Sequence, residues 1–273
     1  MGLFRTLKAS FRVRCARQEV MARRITPLSH GLDARLIVSL TSYPKRFDTL
    51  AWTLTCLLRQ TIQPDAVILW IAKSDFEQLP SSVLELKKLG LEIRQTRDLG
   101  SFKKVIPALR DMPDAYIATA DDDVYYPADW LEGLVNTVKA HPNRIAAQRA
   151  HRVRYRPDGK MDSYGNWQKN ISGAVEGADI FATGAGGVLY PPNSLHPSVL
   201  CEDAFLRLCP QADDIWLYWM ARRQGTIVRH VGPSRRILEW PGTQTTNLRS
   251  TNLGAPGESG NDRAIAALIK HYG

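Results

Sequence analysis

The chain alternates short apolar runs with amphipathic stretches, and this alternation predicts an α/β fold. Apolar runs bounded by polar turns predict buried strands, whereas apolar residues at every third or fourth position predict helices. The predicted strands are residues 36–40, 66–72, 91–96, 115–120, 145–151, 188–190 and 226–230. The predicted helices are residues 48–59, 104–110, 128–140, 213–223 and 261–272. In such folds, ligands bind beyond the carboxyl ends of the strands.

The pattern indicates a single domain after an N-terminal segment of residues 1–30. No internal repeat and no linker divides residues 31–273, although the first half, about 35–150, is more regular than the second half, about 151–273. Residues 240–262 are rich in Gly, Pro, Thr, Asn and Ser. A loop of this length in a compact domain is typical of a lid or a binding loop.

The N-terminal segment is predicted to be a basic amphipathic helix. At ~100° per residue, one stripe of its surface carries the apolar residues, with Arg14 among them; they are Leu3, Phe4, Leu7, Phe11, Cys15 and Met21. Residues 1–24 hold seven Lys and Arg against one Glu, which leaves 29 basic and 26 acidic residues in the remainder. Such a helix is typical of a segment that lies on an anionic membrane surface. The alternative is a helix that packs on the domain with its charges in solvent.

Composition and charge narrow the class of protein. With 44% hydrophobic and 23% charged residues, the chain is expected to be globular. Its four cysteines show no CxxC spacing, which argues against a zinc site or a disulfide scaffold and suits a reducing compartment. No apolar run reaches the ~18–20 residues of a membrane-spanning helix, so a cytoplasmic protein is expected. A near-neutral body with a basic appendage argues against nucleic acid as the partner.

The strongest chemical signal is a run of three aspartates, Asp121 to Asp123, directly after the strand predicted at 115–120. Neighbouring carboxylates raise one another's pKa, and a divalent cation is the usual way to relieve that repulsion. If the strand geometry continues, Asp121 and Asp123 lie on the same side. This pattern predicts a Mg²⁺ or Mn²⁺ site. The alternative is an exposed acidic turn that caps the following helix.

A second carboxylate pair, Asp213 and Asp214, lies at the start of a predicted helix, where the helix dipole favours anions. A simple N-cap is the alternative for Asp213. A glycine-rich segment, Gly184–Gly187, precedes the pair along the chain.

Four segments in this order resemble the motifs of GT-A glycosyltransferases, close to the family 2-like enzymes of bacterial polysaccharide and lipopolysaccharide synthesis. The segments are 58–61 (LRQT), 120–124 (ADDDV), 183–190 (TGAGGVLY) and 213–225 (DDIWL through Gly225). The resemblance covers about residues 35–231. It implies a single GT-A type, Rossmann-like domain with a mixed central sheet, preceded by the amphipathic helix. The half at about 35–150 would bind the nucleotide-sugar, and the half at about 151–273 the acceptor.

The resemblance also implies roles for individual residues. Asp121 and Asp123 would hold Mn²⁺ or Mg²⁺ against the donor diphosphate, with Asp122 beside them, and His230 could complete the metal shell. Asp214 would be the catalytic base. The remaining donor-binding residues would be Thr41, Tyr43, Asp98 and Lys104. Alternatives remain for two of these residues, because Lys104 could lie on a solvated helix face and His230 could be an ordinary surface histidine.

The implied activity is metal-dependent transfer of a sugar, of hexosyltransferase type and with inversion. The expected donor is a UDP-sugar, and the expected acceptor is a hydroxyl of a glycan or a lipid-linked glycan. The basic N-terminus would hold the enzyme at the cytoplasmic face of the membrane. One departure is that the family's Asp-Asp-Gly-Ser stretch after the second strand is replaced here by residues 71–75 (IAKSD), where Asp75 could substitute. The alternatives are a non-catalytic carbohydrate-binding relative and a HAD-type phosphatase with Asp121 as nucleophile and Asp123 as acid/base.

Overall fold

The computed structural model describes residues 2–233, 235–243 and 259–273, with side chains from residue 10 onward. The strands are β1 (Leu28–Ser29), β2 (Leu36–Thr41), β3 (Ile62–Gln63), β4 (Ala66–Ala72), β5 (Leu91–Thr96), β6 (Tyr116–Thr119), β7 (Val124–Tyr125), β8 (Arg144–Ala147), β9 (Ala150–Arg152), β10 (Glu176–Gly177), β11 (Ile180–Ala182), β12 (Val188–Tyr190), β13 (Ile227–His230) and β14 (Leu238–Glu239). The α-helices are α1 (Gly2–Ala22), α2 (Phe47–Leu58), α3 (Ser81–Leu84), α4 (Ile106–Asp111), α5 (Trp130–Ala140), α6 (Glu202–Leu208), α7 (Asp213–Gln224) and α8 (Gly260–Tyr272).

Eight of the described strands form one mixed central sheet, in the order β10-β13-β8-β12-β6-β2-β4-β5. Strands β6, β2, β4 and β5 are parallel neighbours, whereas β12 runs antiparallel to both β6 and β8. The chain leaves β2 outward through β4 and β5 and then returns to β6 on the other side of β2. This reversal creates a switch point between β2 and β6, where the carboxyl ends of two strands diverge and leave a crevice for a ligand.

The central strands are apolar on both faces because helices cover the sheet on both sides. All seven residues of β4 are buried. Helices α1, α2 and α5 pack on one face, and α4 covers Ile37, Ile68 and Ile117 on the other. A third group of buried side chains joins α6, α7 and α8 to the β8 and β12 end of the sheet. A strand buried on both faces has a continuous apolar sequence, which is why these strands were predictable.

One predicted strand is wrong. Residues 145–151 form two strands in different sheets, β8 in the central sheet and β9 paired with β11. The strand is interrupted at Gln148 and Arg149. The backbone N–H of Gln148 donates to the Gly187 carbonyl oxygen, and the Arg149 carbonyl accepts from the Thr183 N–H. The apolar pattern runs through this break, so periodicity gives no sign of it. Of the loop expected at 240–262, residues 244–258 lie outside the described residues.

Helix α1 packs on the domain with the face opposite to the predicted apolar stripe. Val13, Ala16 and Val20 are buried against the α2 side of the sheet, whereas Phe11 is 67% exposed and Met21 57% exposed. The stripe's Leu3, Phe4 and Leu7 lie outside the described side chains. The packed alternative is therefore correct for residues 13–20, and the exposed part of the stripe is left uncovered by the domain. Within the described residues, no helix is both long and apolar enough to cross a membrane.

Arg23 fixes the end of α1 to the domain. Its guanidinium donates to three backbone carbonyls, those of Cys56 (3.2 Å), Arg59 (2.9 Å) and Tyr126 (3.1 Å), and forms a two-point contact with Glu19. The side chain is 2% exposed. The Cys56 carbonyl lies in the last turn of α2, the Arg59 carbonyl just after α2, and the Tyr126 carbonyl just after β7. One buried side chain therefore joins the end of α1 to α2 and to the segment after β7.

We expect Arg23→Ala to lower the free energy of unfolding by about 2–4 kcal/mol, because it removes the guanidinium donor from the Arg59 and Tyr126 carbonyls and breaks the ion pair with Glu19. Urea unfolding followed by circular dichroism measures the change. Arg24→Ala is the matched control, since Arg24 is exposed and, among the described residues, donates to the nearby carbonyls of Met21 and Arg23. A shift within about 0.5 kcal/mol is expected for it. Equal shifts in the two variants would contradict the anchoring role.

Candidate active site

A single cleft of about 1,020 Å³ opens at the switch point of the sheet. Its walls come from the loop after β2, the segment after β6, the glycine-rich segment before β12 and the start of α7. It is lined by these predicted site residues: Thr41, Tyr43, Asp98, Lys104, Asp121, Asp122, Asp123 and Asp214. Asp75, the possible substitute for the missing aspartate stretch, also lines it. The fold therefore brings together residues that are up to 173 positions apart in the sequence.

Asp122 is the buried anchor of the aspartate run. Its carboxylate accepts from the Ser42 hydroxyl at 2.6 Å and from the Arg46 guanidinium at 3.1 Å. Arg46 also forms an ion pair with Asp123. Arg46 was not predicted as a site residue, and its only signal in the sequence is its place just after Tyr43, in the loop expected to meet the nucleotide. The arginine ties the loop after β2 to the segment after β6.

Asp121 and Asp123 lie at the same cleft in a setting that disfavours their charged forms. Burial is the main cause, and repulsion from neighbouring aspartates adds to it, so the pKa of each carboxyl is raised to about 6. Asp121 is held by its backbone N–H, which donates to the Tyr126 hydroxyl at 2.7 Å, and by the Gly186 N–H, which donates to its carboxylate at 3.3 Å.

Asp213 and Asp214 form the first turn of α7 on the other side of the cleft. Asp213 is buried and accepts from the Ser101 hydroxyl at 2.9 Å. Its second carboxylate oxygen lies 2.8 Å from the Lys104 ammonium, which is itself buried. Burial by itself lowers the pKa of Lys104, but the charges of Asp213, Asp214 and Asp121 outweigh this effect, so its pKa lies well above the usual lysine value. Lys104 is thus a buried partner of Asp213 and not part of a solvated helix face.

Asp214 has the environment of a proton acceptor. Burial and the neighbouring charge of Asp213 raise its pKa to about 7, against the opposing charge of Lys104 and a hydrogen bond from the Gly184 backbone. A carboxyl group with a pKa near neutrality can accept a proton in one step of a reaction and release it in the next.

The glycine-rich segment is needed for space. A Cβ on Gly184 would lie 2.6 Å from the Asp214 carboxylate and 2.8 Å from the Lys104 ammonium, closer than real Cβ contacts. At Gly187, whose φ is +103°, a Cβ would meet the Trp130 indole at 2.6 Å. Trp130 in turn donates its indole N–H to the Gly186 carbonyl at 2.7 Å. The glycines therefore let the backbone approach Asp214 on one side and the α5 residue Trp130 on the other.

The residues expected to contact the nucleotide lie at the edge of the cleft, at the end of β2 and in the segments that follow β2 and β5. Thr41 donates its hydroxyl to the Trp70 carbonyl at 2.8 Å, and the Arg46 guanidinium lies over the Tyr43 ring at 5.8 Å. Asp98 forms an ion pair with Lys103, and that hydrogen bond lowers the pKa of Asp98.

His230 does not join the other predicted site residues. It is fully buried, it is not among the residues that line the cleft, and its ring nitrogens lie 2.8 Å from the Gly173 carbonyl oxygen and 3.2 Å from the Gln148 carbonyl oxygen. Both nitrogens face backbone carbonyl oxygens in the interior of the fold, away from the cleft, so His230 is not placed to be a metal ligand there. Its position at the end of β13 suggested a ligand, but only the tertiary structure shows where the ring lies.

The carboxylates fit a divalent cation that shares its coordination with a substrate. In the described part of the chain, no group of three or more His, Cys, Asp or Glu residues could hold a metal ion by itself. Mg²⁺ is typically bound through one or two carboxylates, with substrate phosphates and water in its other positions. Asp121 and Asp123 supply such a pair, and burial together with repulsion between neighbouring aspartates raises their pKa values, a cost that a bound cation would lower.

Comparison with known proteins assigns the family. Residues 40–184 match Glycosyl transferase family 2, which is more than half of the chain and includes the end of β2, the aspartate run and Gly184. Comparison with curated proteins finds no match. The mixed central sheet is that of a GT-A, Rossmann-like domain, so the predicted fold class is confirmed. The chain therefore belongs to glycosyl transferase family 2 and is a glycosyltransferase that uses a nucleotide-sugar donor.

Proposed function

We propose that this glycosyltransferase is metal-dependent and inverting, and that it moves a hexose from a UDP-sugar to a hydroxyl of a glycan or lipid-linked glycan. The observation that carries the proposal is the convergence of Asp121–Asp123 and Asp213–Asp214 in one cleft at the switch point of the sheet. The donor would lie against the half formed by residues 35–150, with Thr41, Tyr43 and Asp98 at the nucleotide. The acceptor would lie against the half formed by residues 151–273.

In this proposal Asp214 removes the proton from the attacking acceptor hydroxyl. Inversion requires the hydroxyl to attack the anomeric carbon from the face opposite the leaving diphosphate, with a base at the hydroxyl. The hydrogen bond from Gly184 orients the Asp214 carboxylate, and Lys104 with Ser101 holds the adjacent Asp213. Thus Asp214 has a pKa suited to proton transfer, while Asp213 is fixed as its support.

Asp121 and Asp123 would hold Mn²⁺ or Mg²⁺, which would neutralise the charge of the leaving nucleoside diphosphate. Asp122 keeps these two carboxylates in place through Ser42 and Arg46. Arg46 also forms an ion pair with Asp123. Binding of the metal and the donor at Asp123 would therefore also affect the position of the loop after β2.

Of the alternatives, the family assignment removes the HAD-type phosphatase. A non-catalytic carbohydrate-binding relative would be expected to lose one of the two aspartate groups. Here both line the cleft, and the second includes a carboxyl group with a pKa of about 7. These features favour catalysis.

We further propose that α1 holds the enzyme on the cytoplasmic face of an anionic membrane, where lipid-linked acceptors of polysaccharide or lipopolysaccharide synthesis would be found. The helix is attached to the domain by its Val13, Ala16 and Val20 face, and Phe11 and Met21 remain exposed beside the exposed Arg12 and Arg14. Exposed apolar side chains next to basic ones are the combination that binds such a surface.

Incubation with a panel of nucleotide sugars, Mn²⁺ and candidate acceptors tests the activity through release of nucleoside diphosphate. We expect Asp214→Asn to lower kcat by roughly 10²–10⁴-fold, because the amide cannot accept the proton. Chelation of the metal with EDTA should abolish the wild-type activity and Mn²⁺ should restore it. Asp114→Asn, which makes the same change at an exposed position away from the cleft, is the matched control and should retain full activity. Equal rates for wild type and Asp214→Asn would contradict the assigned base.

The pH dependence of kcat/KM tests the electrostatics of Asp214. Activity should rise with pH and level off above about 7, because only the ionised carboxylate accepts a proton. Lys104 lowers this pKa, so Lys104→Met should raise it and move the rising limb to higher pH. In Lys103→Met, which removes a cation paired with Asp98 instead, the limb should stay in place. A limb that Lys104→Met leaves unmoved would mean that another group limits the rate.

Membrane binding is tested by co-sedimentation with vesicles that contain phosphatidylglycerol. Phe11→Ser/Met21→Ser should reduce pelleting of the full-length protein, because it removes exposed apolar contacts and leaves the packed face intact. The control Leu84→Ser/Leu89→Ser replaces two similarly exposed leucines on another part of the surface and should pellet like wild type. Equal pelleting of all three proteins would refute the role of α1. Truncation of residues 1–24 is a poorer test, because it would also remove the Arg23 anchor.

A further inference from the structure

The cations that line the cleft divide into two groups. Arg46, Lys103 and Lys104 each have a carboxylate partner, respectively Asp122 with Asp123, Asp98, and Asp213. The other two, Arg149 and Lys169, have no carboxylate within ion-pair distance in the part of the chain that the structure describes. We call Arg149 and Lys169 the basic pair.

The basic pair is held in place by neutral groups. Arg149 donates its Nε–H to the Asn170 side-chain oxygen at 2.6 Å. Lys169 donates to the Tyr164 carbonyl and lies 3.2 Å from the centre of the Tyr164 ring. These contacts fix both cations without neutralising them. They also mean that little side-chain entropy would be lost when an anion binds.

The two cations are unfavourably placed without an anion. Burial lowers the pKa of Lys169 to about 8; the charge of Asp262 opposes this effect, and the charge of Arg149 adds to it. Asp262 is itself engaged, since it accepts from the Tyr164 N–H at 2.7 Å and the Ser259 hydroxyl at 2.6 Å. Two like charges at a partly buried site are most readily stabilised by an anionic ligand.

His151 supplies a neutral donor at the same place. Its Nδ1 accepts from the Asn170 backbone N–H at 3.1 Å, so the neutral ring carries its proton on Nε2. Burial lowers the pKa of His151 to about 4, which keeps the ring neutral. The His151 side chain lines the cleft, and a hydrogen bond with the Ala150 backbone partly offsets the effect of burial on its pKa.

The basic pair lies on the side of the cleft that holds the base. The Arg149 carbonyl accepts from the Thr183 N–H at 3.1 Å, and the next residue, Gly184, donates its N–H to Asp214. The aspartates expected to face the donor diphosphate, in contrast, are joined to Arg46 and the loop after β2. A group bound at the basic pair would therefore belong to the molecule that presents its hydroxyl to Asp214.

We propose that Arg149 and Lys169, with His151 as a neutral donor, form a subsite for an acidic group, a carboxylate or a phosphate ester, on the glycan acceptor. The inference rests on the proposed function, because it takes the Asp214 side of the cleft as the acceptor side. It adds that the acceptor is an anionic glycan. An acidic sugar in the donor would present the same chemistry, and the test separates these two sources.

The test is the binding of wild type and variants to an immobilised glycan array that pairs uronic-acid or phosphorylated glycans with their neutral counterparts. Donor affinity is measured in parallel by calorimetry with UDP, with UDP-glucose and with UDP-glucuronate. Arg149→Gln and Lys169→Met each remove one positive charge, whereas the conservative variant Lys169→Arg keeps the charge at position 169. Arg154→Gln is the control, since Arg154 is an exposed cation close along the chain that does not line the cleft.

Wild type should prefer acidic over neutral glycans, and each charge-removing variant should lose roughly 10- to 100-fold of that affinity. UDP affinity should be unchanged in every variant, and Lys169→Arg and Arg154→Gln should bind as wild type does. Equal binding of acidic and neutral glycans would overturn the inference, and so would a loss confined to UDP-glucuronate, which would assign the pair to the donor. Since the array needs no turnover, failure of sugar transfer in the Asp214 assay would be a separate result.

Discussion

The structure depends on keeping five carboxylates, Asp121 to Asp123 with Asp213 and Asp214, in one partly buried cleft. Their mutual repulsion and burial raise the pKa values of Asp121, Asp123 and Asp214, so the cleft requires cations from elsewhere in the chain. Arg46 supplies one from the loop after β2, and Lys104 supplies another from the turn before α4. Each of these ion pairs joins elements on different sides of the switch point, so the electrostatics of the site also fix its geometry.

The balance between carboxylates and cations also differs between the two sides of the cleft. On the Arg46 side the carboxylates outnumber the cations, which suits a metal ion and a diphosphate. On the Asp214 side, Lys104 is paired with Asp213, whereas Arg149 and Lys169 keep unpaired charges among the described residues. Gly184 and Gly187 permit this arrangement, because a side chain at Gly184 would collide with Asp214 and Lys104 and one at Gly187 would collide with Trp130. The cleft therefore combines a region where carboxylates outnumber cations with one where two cations have no carboxylate within ion-pair distance among the described residues.

Helix α1 shows a similar separation of roles on one element. Its Val13, Ala16 and Val20 face and the buried Arg23 hold it to the domain, while Phe11 and Met21 remain in solvent. A helix with apolar residues on two faces has little overall amphipathicity, so a single predicted stripe describes only half of it. The basic charge of the chain is concentrated here, and the body that carries the cleft is nearly neutral.

The sequence by itself determined the parallel strands, most helices and the two aspartate groups, because buried strands and helix starts are local features of the apolar pattern. The split of residues 145–151 into β8 and β9, the packed face of α1 and the burial of His230 away from the cleft were decided only by the tertiary structure. So were the partners of the aspartates, Arg46 and Lys104, and the absence of a carboxylate within ion-pair distance of Arg149 and Lys169 among the described residues. Which charges are neutralised and which remain free depends on contacts between distant segments, and local sequence does not encode those distances.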